Sequence, residues 1–104
     1  MKKKSDNVII IGGTSGIGAS VAIAMQRSGW NVGIAGRRLN ILQNLKERYG
    51  FYIKQIDVSS VSAANDLNNF IHDMGGISLI IISAGTGYIN LDFNFELDIY
   101  GNKT

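Results

Sequence analysis

The chain has neither cysteine nor proline. Without thiols there is no disulfide framework and no thiolate-held metal, which suits a reducing compartment, and a cytoplasmic location is the expectation. No low-complexity linker and no internal repeat divides the sequence, so a solenoid is excluded. Long hydrophobic runs are missing too. Val8 to Ile11 and Ile77 to Ile82 are far shorter than the roughly 20 apolar residues of a bilayer-spanning helix, and no apolar signal core follows Lys2, Lys3 and Lys4. A strong charge imbalance is also lacking. The formal charge of +2 comes partly from that terminal lysine run, read as a solvated end, so neither a nucleic-acid nor a membrane partner is expected.

What is present suffices for one compact domain. A 45% hydrophobic and 17% charged composition over 104 residues is that of a soluble globular protein. Hydrophobic periodicity then changes repeatedly along the chain. Val8-Ile9-Ile10-Ile11 reads as a strand buried on both faces, and Ile17, Val21, Ala24 and Met25 repeat at helical spacing as far as Ser28. Asn31 to Ala35 is a second strand, followed by helical spacing at Ile41, Leu42, Leu45 and Tyr49 up to Gly50. A third strand is expected from about Phe51 to Ile56. The next helix, from about Val61 to Met74, places Val61, Ala64, Leu67, Phe70, Ile71 and Met74 on one side. Ile77 to Ile82 is the fourth strand, and a further helix is expected near Phe95 to Tyr100.

This alternation predicts an α/β fold, a Rossmann-like doubly wound parallel sheet of four strands in the order 3-2-1-4. The fourth strand then lies at an edge, yet it carries no charge or proline to blunt that edge. Such a strand expects a neighbour. Self-association through it, or a longer protein of which this is the first part, are the two outcomes that follow.

The turn Gly12-Gly13-Thr14-Ser15-Gly16-Ile17-Gly18 joins a buried strand to a helix, where a dinucleotide pyrophosphate would sit. Gly12 would allow the tight turn, Gly16 a close approach of backbone to phosphate, and Gly18 close packing of helix on sheet. Thr14 and Ser15 add hydroxyl donors. The phosphate-binding P-loop is excluded because Gly18-Ala19 supplies no lysine, and G-x-G-x-x-G fails because Thr14 stands where its second glycine belongs. The remaining pattern, Gly-x-x-x-Gly-x-Gly, resembles the short-chain dehydrogenase/reductase family, whose usual form has a threonine before it. Ser15, where the sugar-nucleotide epimerase branch has glycine, favours the shorter reductase-like branch.

That resemblance implies three further sites, each at a strand end. Arg37, with Arg38 as reserve, follows Gly36, the place where members using NAD carry an acid; an arginine there neutralises a 2′-phosphate, so NADP is expected rather than NAD. Asp57-Val58 is similar to the family's Asp-Val pair, which meets the adenine; Asp57 could also cap the next helix, but because Ser59 and Ser60 could cap as well the two readings are not exclusive, and adenine contact is the favoured one. Ser83-Ala84-Gly85 stands for the family's Asn-Ala-Gly beneath the cofactor's ribose. Ser83 replaces asparagine and Ile11 replaces threonine, and apolar packing between strands one and four is the expected compensation. His72, Trp30 and Tyr49 are assigned no chemistry: the first as a surface residue, the other two as covers for the core.

In this family the proton donor is a tyrosine followed four residues later by lysine. Tyr49, Tyr52, Tyr88 and Tyr100 are followed at that spacing by Ile53, Ile56, Asp92 and Thr104. No catalytic residue is therefore assigned, and no metal ligand. The resemblance, over about residues 7 to 87, implies the cofactor-binding half of a single domain, with the catalytic half and the small-molecule substrate site belonging to a complete parent protein. The expected function is the NADP-binding portion of an oxidoreductase that moves hydride between nicotinamide and a carbonyl or alcohol, the 104 residues alone being inactive. A non-catalytic nucleotide-binding module, or a truncated product with no activity, stays open.

Overall fold

A computed structural model of the chain describes residues 6–12, 14 and 16–83. The elements run β1 (Asn7–Ile11), α1 (Gly16–Arg27), β2 (Asn31–Gly36), α2 (Leu39–Tyr49), β3 (Tyr52–Gln55), α3 (Ala63–Met74) and β4 (Leu79–Ile82). All pairings are parallel, in the order β3-β2-β1-β4. This is the Rossmann-like architecture that the alternation predicts. Gly50 and Gly75 end α2 and α3 in the left-handed conformation. The helix expected near Phe95 to Tyr100 lies outside the described residues, as do Ser15, Ala84 and Gly85.

Strand alternation divides the core in two. Ile9 and Ile11 point to one face, where Ala35, Ile56 and the α3 residues Leu67, Phe70, Ile71 and Met74 meet them. Val8 and Ile10 point to the other, against Val32, Ile34, Ala22 of α1, Leu42 of α2 and Phe51. Trp30 and Tyr49 pack over this second cluster, Tyr49 stacked on Phe51 with ring centroids 5.2 Å apart. β1 is thus covered on both faces and flanked on both edges, which is why its sequence is a continuous apolar run.

Two expectations need correction. Of the α1 stripe, Val21 and Met25 pack against the core, but Ile17, 75% exposed, and Ala24 do not, and the residues α1 buries are Gly18 and Ala22. Small residues let the helix axis come close to the sheet, and the closer contact turns the larger Ile17 outward. Val61 is also fully exposed, because α3 begins only at Ala63. At the far edge, Leu79 and Ile82 of β4 are each 39% exposed.

Candidate functional site

The strand order reverses between β1 and β2 on one side and β1 and β4 on the other, so the loops leaving the C-terminal strand ends converge. Backbone bonds carry the ladder one residue past each strand and fix those loops. The Gly12 N–H donates to the Ala35 carbonyl at 2.8 Å, Ile56 to Gly36 at 2.8 Å and Ser83 to Ile11 at 2.7 Å. The last of these joins the strand-four loop to β1 through backbone, while Ile11, 5% exposed, lies in the core beneath.

In the glycine turn, Gly12 has φ of +85°, a left-handed conformation that glycine enters without penalty. Gly18 is buried where α1 meets the sheet. Gly16 is different: its φ is not positive, and a Cβ added to it would meet nothing within 4 Å. Among the described residues, none fills the space beside it, as a phosphate-cradling turn requires. Ile17 is exposed on the first turn of α1.

Beyond this turn, Arg37 and Asp57 share a cleft of about 320 Å³ with Gln55, Ser60, Ser62 and Asp66. Arg37 is held from below, because the Gln55 side-chain amide donates to its carbonyl at 3.0 Å. Arg38 stands at the N-cap of α2 without a side-chain cap bond, as expected of a guanidinium, which has only donors to offer. Its side chain is exposed but is not among those lining the cleft.

Asp57 does not cap α3, and neither do Ser59 or Ser60; Ser62 holds the N-cap position, with no side-chain cap bond. The Asp57 carboxylate instead closes a local turn, accepting from the Ser59 hydroxyl at 2.7 Å and the Ser59 N–H at 3.0 Å. These two bonds hold its carboxyl below the ordinary value against the opposing effect of desolvation, and the positive charge of Arg37 adds the smallest contribution. Ser60 accepts from the Ser62 N–H, and the Ser62 hydroxyl donates to Asp66. The cleft therefore has a cationic wall at Arg37 and an acidic one at Asp57 and Asp66.

Of the residues singled out in the sequence, the structure brings Gly12, Thr14, Gly16, Ile17 and Gly18 together in one turn, and Arg37 and Asp57 in the adjoining cleft. Val58 packs against the core cluster under α3, and Ser83 lies at the end of β4. Gln55, Ser60, Ser62 and Asp66 were not anticipated. Only position relative to a strand end or helix start could have marked them, since none belongs to a motif.

A parallel sheet with this reversal and a glycine turn after its first strand defines a Rossmann-type nucleotide-binding protein. Residues 6–98 match the short chain dehydrogenase family, and the chain belongs to that family of oxidoreductases. It is 33% identical over 95 residues to the probable 2,4-dienoyl-CoA reductase of Bacillus subtilis (strain 168), across 86% of this chain and 37% of that protein. Among solved structures, the MalC reductase/Diels-Alderase from Malbranchea aurantiaca superposes with a TM-score of 0.72 at 25% identity, over 82% of this chain and 38% of that one. The Pseudomonas aeruginosa RhlG/NADP active-site complex shares the fold at a TM-score of 0.71 and 22% identity, over 78% of this chain and 35% of that one. The chain spans well under half the length of each of these proteins.

Proposed function

We propose that this chain is an NADP-binding unit, with the dinucleotide lying across the C-terminal ends of β1, β2 and β3. The observation that carries the reading is Arg37, directly after a glycine at the end of β2, in one cleft with Asp57 at the end of β3. A nucleotide with a 2′-phosphate presents a dianion and, a few ångströms away, an adenine amino donor. The cleft offers a guanidinium for the first and a carboxylate acceptor for the second. Val58, next to Asp57, supplies backbone to the ring. Gly16 would face the pyrophosphate, with Thr14 and Ser15 as hydroxyl donors, and Ser83, Ala84 and Gly85 are the residues assigned to the cofactor's ribose. Arg38 is the second cation within reach.

When bound, the nicotinamide ring supplies hydride exchange with a carbonyl or alcohol. The residues of this chain bind and orient the cofactor; they include no Tyr-x-x-x-Lys to hold or move the proton such a reaction needs. Binding without turnover is the activity expected of these 104 residues, with carbonyl reduction a property of a longer protein.

Calorimetric titration with NADPH and NADH tests the reading. Trp30 precedes β2, at the opposite end of the strands from the cleft, so heat is a better readout than its emission. NADPH binding at least tenfold tighter than NADH is the expected result, and equal affinity refutes the preference.

A further inference from the structure

Gly36 stands where a carboxylate would select NAD, and the absence of a side chain there has a cause outside β2. Its φ is not in the left-handed region, so its backbone would accept any residue. Its hydrogen bonding is ordinary ladder pairing, with Gln55 as partner and the Ile56 N–H on its carbonyl. A Cβ added to Gly36, however, would lie 3.0 Å from Thr14 Cγ2, 3.4 Å from Thr14 Oγ1 and 3.8 Å from Thr14 Cβ, its three nearest neighbours. Among the described residues, the one that crowds a side chain at position 36 is Thr14, in the glycine turn.

We propose that Thr14 is a specificity-determining residue of the cofactor site: its side chain, packed over Gly36, keeps an acid from the end of β2 and so helps to reserve the site for a 2′-phosphate. The proposal rests on the cofactor reading above. Thr14 is partly buried and lies between Gly12 and Gly16, while the Gly12 N–H is bonded to Ala35, the neighbour of Gly36. A side chain introduced at position 36 therefore makes the Thr14 side chain give by a few tenths of an ångström, and Thr14 belongs to the turn that would face the pyrophosphate. Discrimination against NADH is then built from an attraction at Arg37 and an exclusion at Thr14. Conversion to NAD use needs two substitutions, one in the glycine turn and one at the end of β2.

A double-substitution cycle tests this with two readouts. In calorimetry, Gly36→Asp alone loses NADPH binding and gains less than tenfold in NADH affinity, whereas Gly36→Asp with Thr14→Ala binds NADH at least tenfold more tightly than the single variant. A single Gly36→Asp variant that binds NADH as well as the double one overturns the proposal. The second readout needs no cofactor. The change in urea midpoint caused by Gly36→Ala is more favourable in a Thr14→Ala background than in the unaltered chain, and equal changes overturn the steric coupling. Failure of the cofactor reading shows separately, as no NADPH binding by the unaltered chain; it removes the specificity role, while the urea cycle still decides the contact.

Discussion

The two ends of the sheet are built to different rules. At the N-terminal strand ends, side chains close the structure on itself: the Asn7 amide donates to the carbonyls of Met74 and Gly76 at 2.9 and 2.7 Å, and Gln26 donates to Tyr49 at 2.7 Å. At the C-terminal ends, Arg37, Asp57 and Ile17 are exposed, and Gly16 borders open space. At one end side chains bond across the fold, between segments far apart in sequence, whereas at the other the side-chain bonds are mostly local and the charged groups stay exposed. Substitutions at the two ends should accordingly separate stability from affinity.

The largest effect is expected on the open side. Arg37→Ala removes a charge-assisted contact of about 1.5 to 3 kcal/mol to a 2′-phosphate, so NADPH affinity falls roughly ten- to hundredfold while NADH affinity and the urea midpoint hardly change. Titration of both nucleotides checks this, and an equal loss for both would place Arg37 elsewhere than on the 2′-phosphate.

Within the sheet, Gly33→Ala should do the reverse. Its Cβ would meet Met74 Sδ at 2.5 Å and Phe70 Cζ at 2.8 Å, so the ends of these two α3 side chains, the flexible Met74 and the stiffer Phe70 ring, must shift within a packed core. Overpacking of this kind costs about 1 to 3 kcal/mol. Urea unfolding should show that loss with the NADPH-to-NADH affinity ratio unchanged. Asn7→Ala follows at about 1 kcal/mol, because it leaves two part-buried carbonyls without their donor.

The smallest effect concerns pH. The folded pKa of Asp57 lies below its unfolded value, so the stability it contributes is fully present above the ordinary carboxylate range and is lost as pH falls through the lower folded value. The carboxylate is exposed, so the contribution is small. Carboxyl NMR titration should find the Asp57 midpoint below that of an unperturbed aspartate, and Ser59→Ala should move it upward. An unchanged midpoint in that variant would remove the Ser59 hydroxyl as the main cause.

The same contrast explains what could be read from the sequence. Strand order and the glycine turn were legible because they depend on chain-local signals: β-branched runs at Val8–Ile11 and Ile77–Ile82, and glycines between a strand and a helix. The buried face of α1 was not. Periodicity assigns the core to the largest apolar residues, whereas the sheet accepts α1 through Gly18 and Ala22 and leaves Ile17 outside. Val61 misled in the same way, as an apolar residue in the turn before the helix it seemed to begin. At the site, Arg37 and Asp57 could be found from their places after strands. The cleft's remaining wall could not, because Gln55 and Asp66 meet only after β3 and α3 fold together, and nothing in sequence links Thr14 to Gly36.

An amide-correlation NMR titration of the chain with NADPH tests the contrast between the ends most directly. The account predicts shifts confined to the C-terminal strand ends, at Gly12, Gly16, Gly36, Arg37, Asp57 and Val58, with Asn7, Trp30 and Gly76 unmoved. Shifts centred on Asn7, Trp30 and Gly76, or no shifts at saturating NADPH, would contradict it.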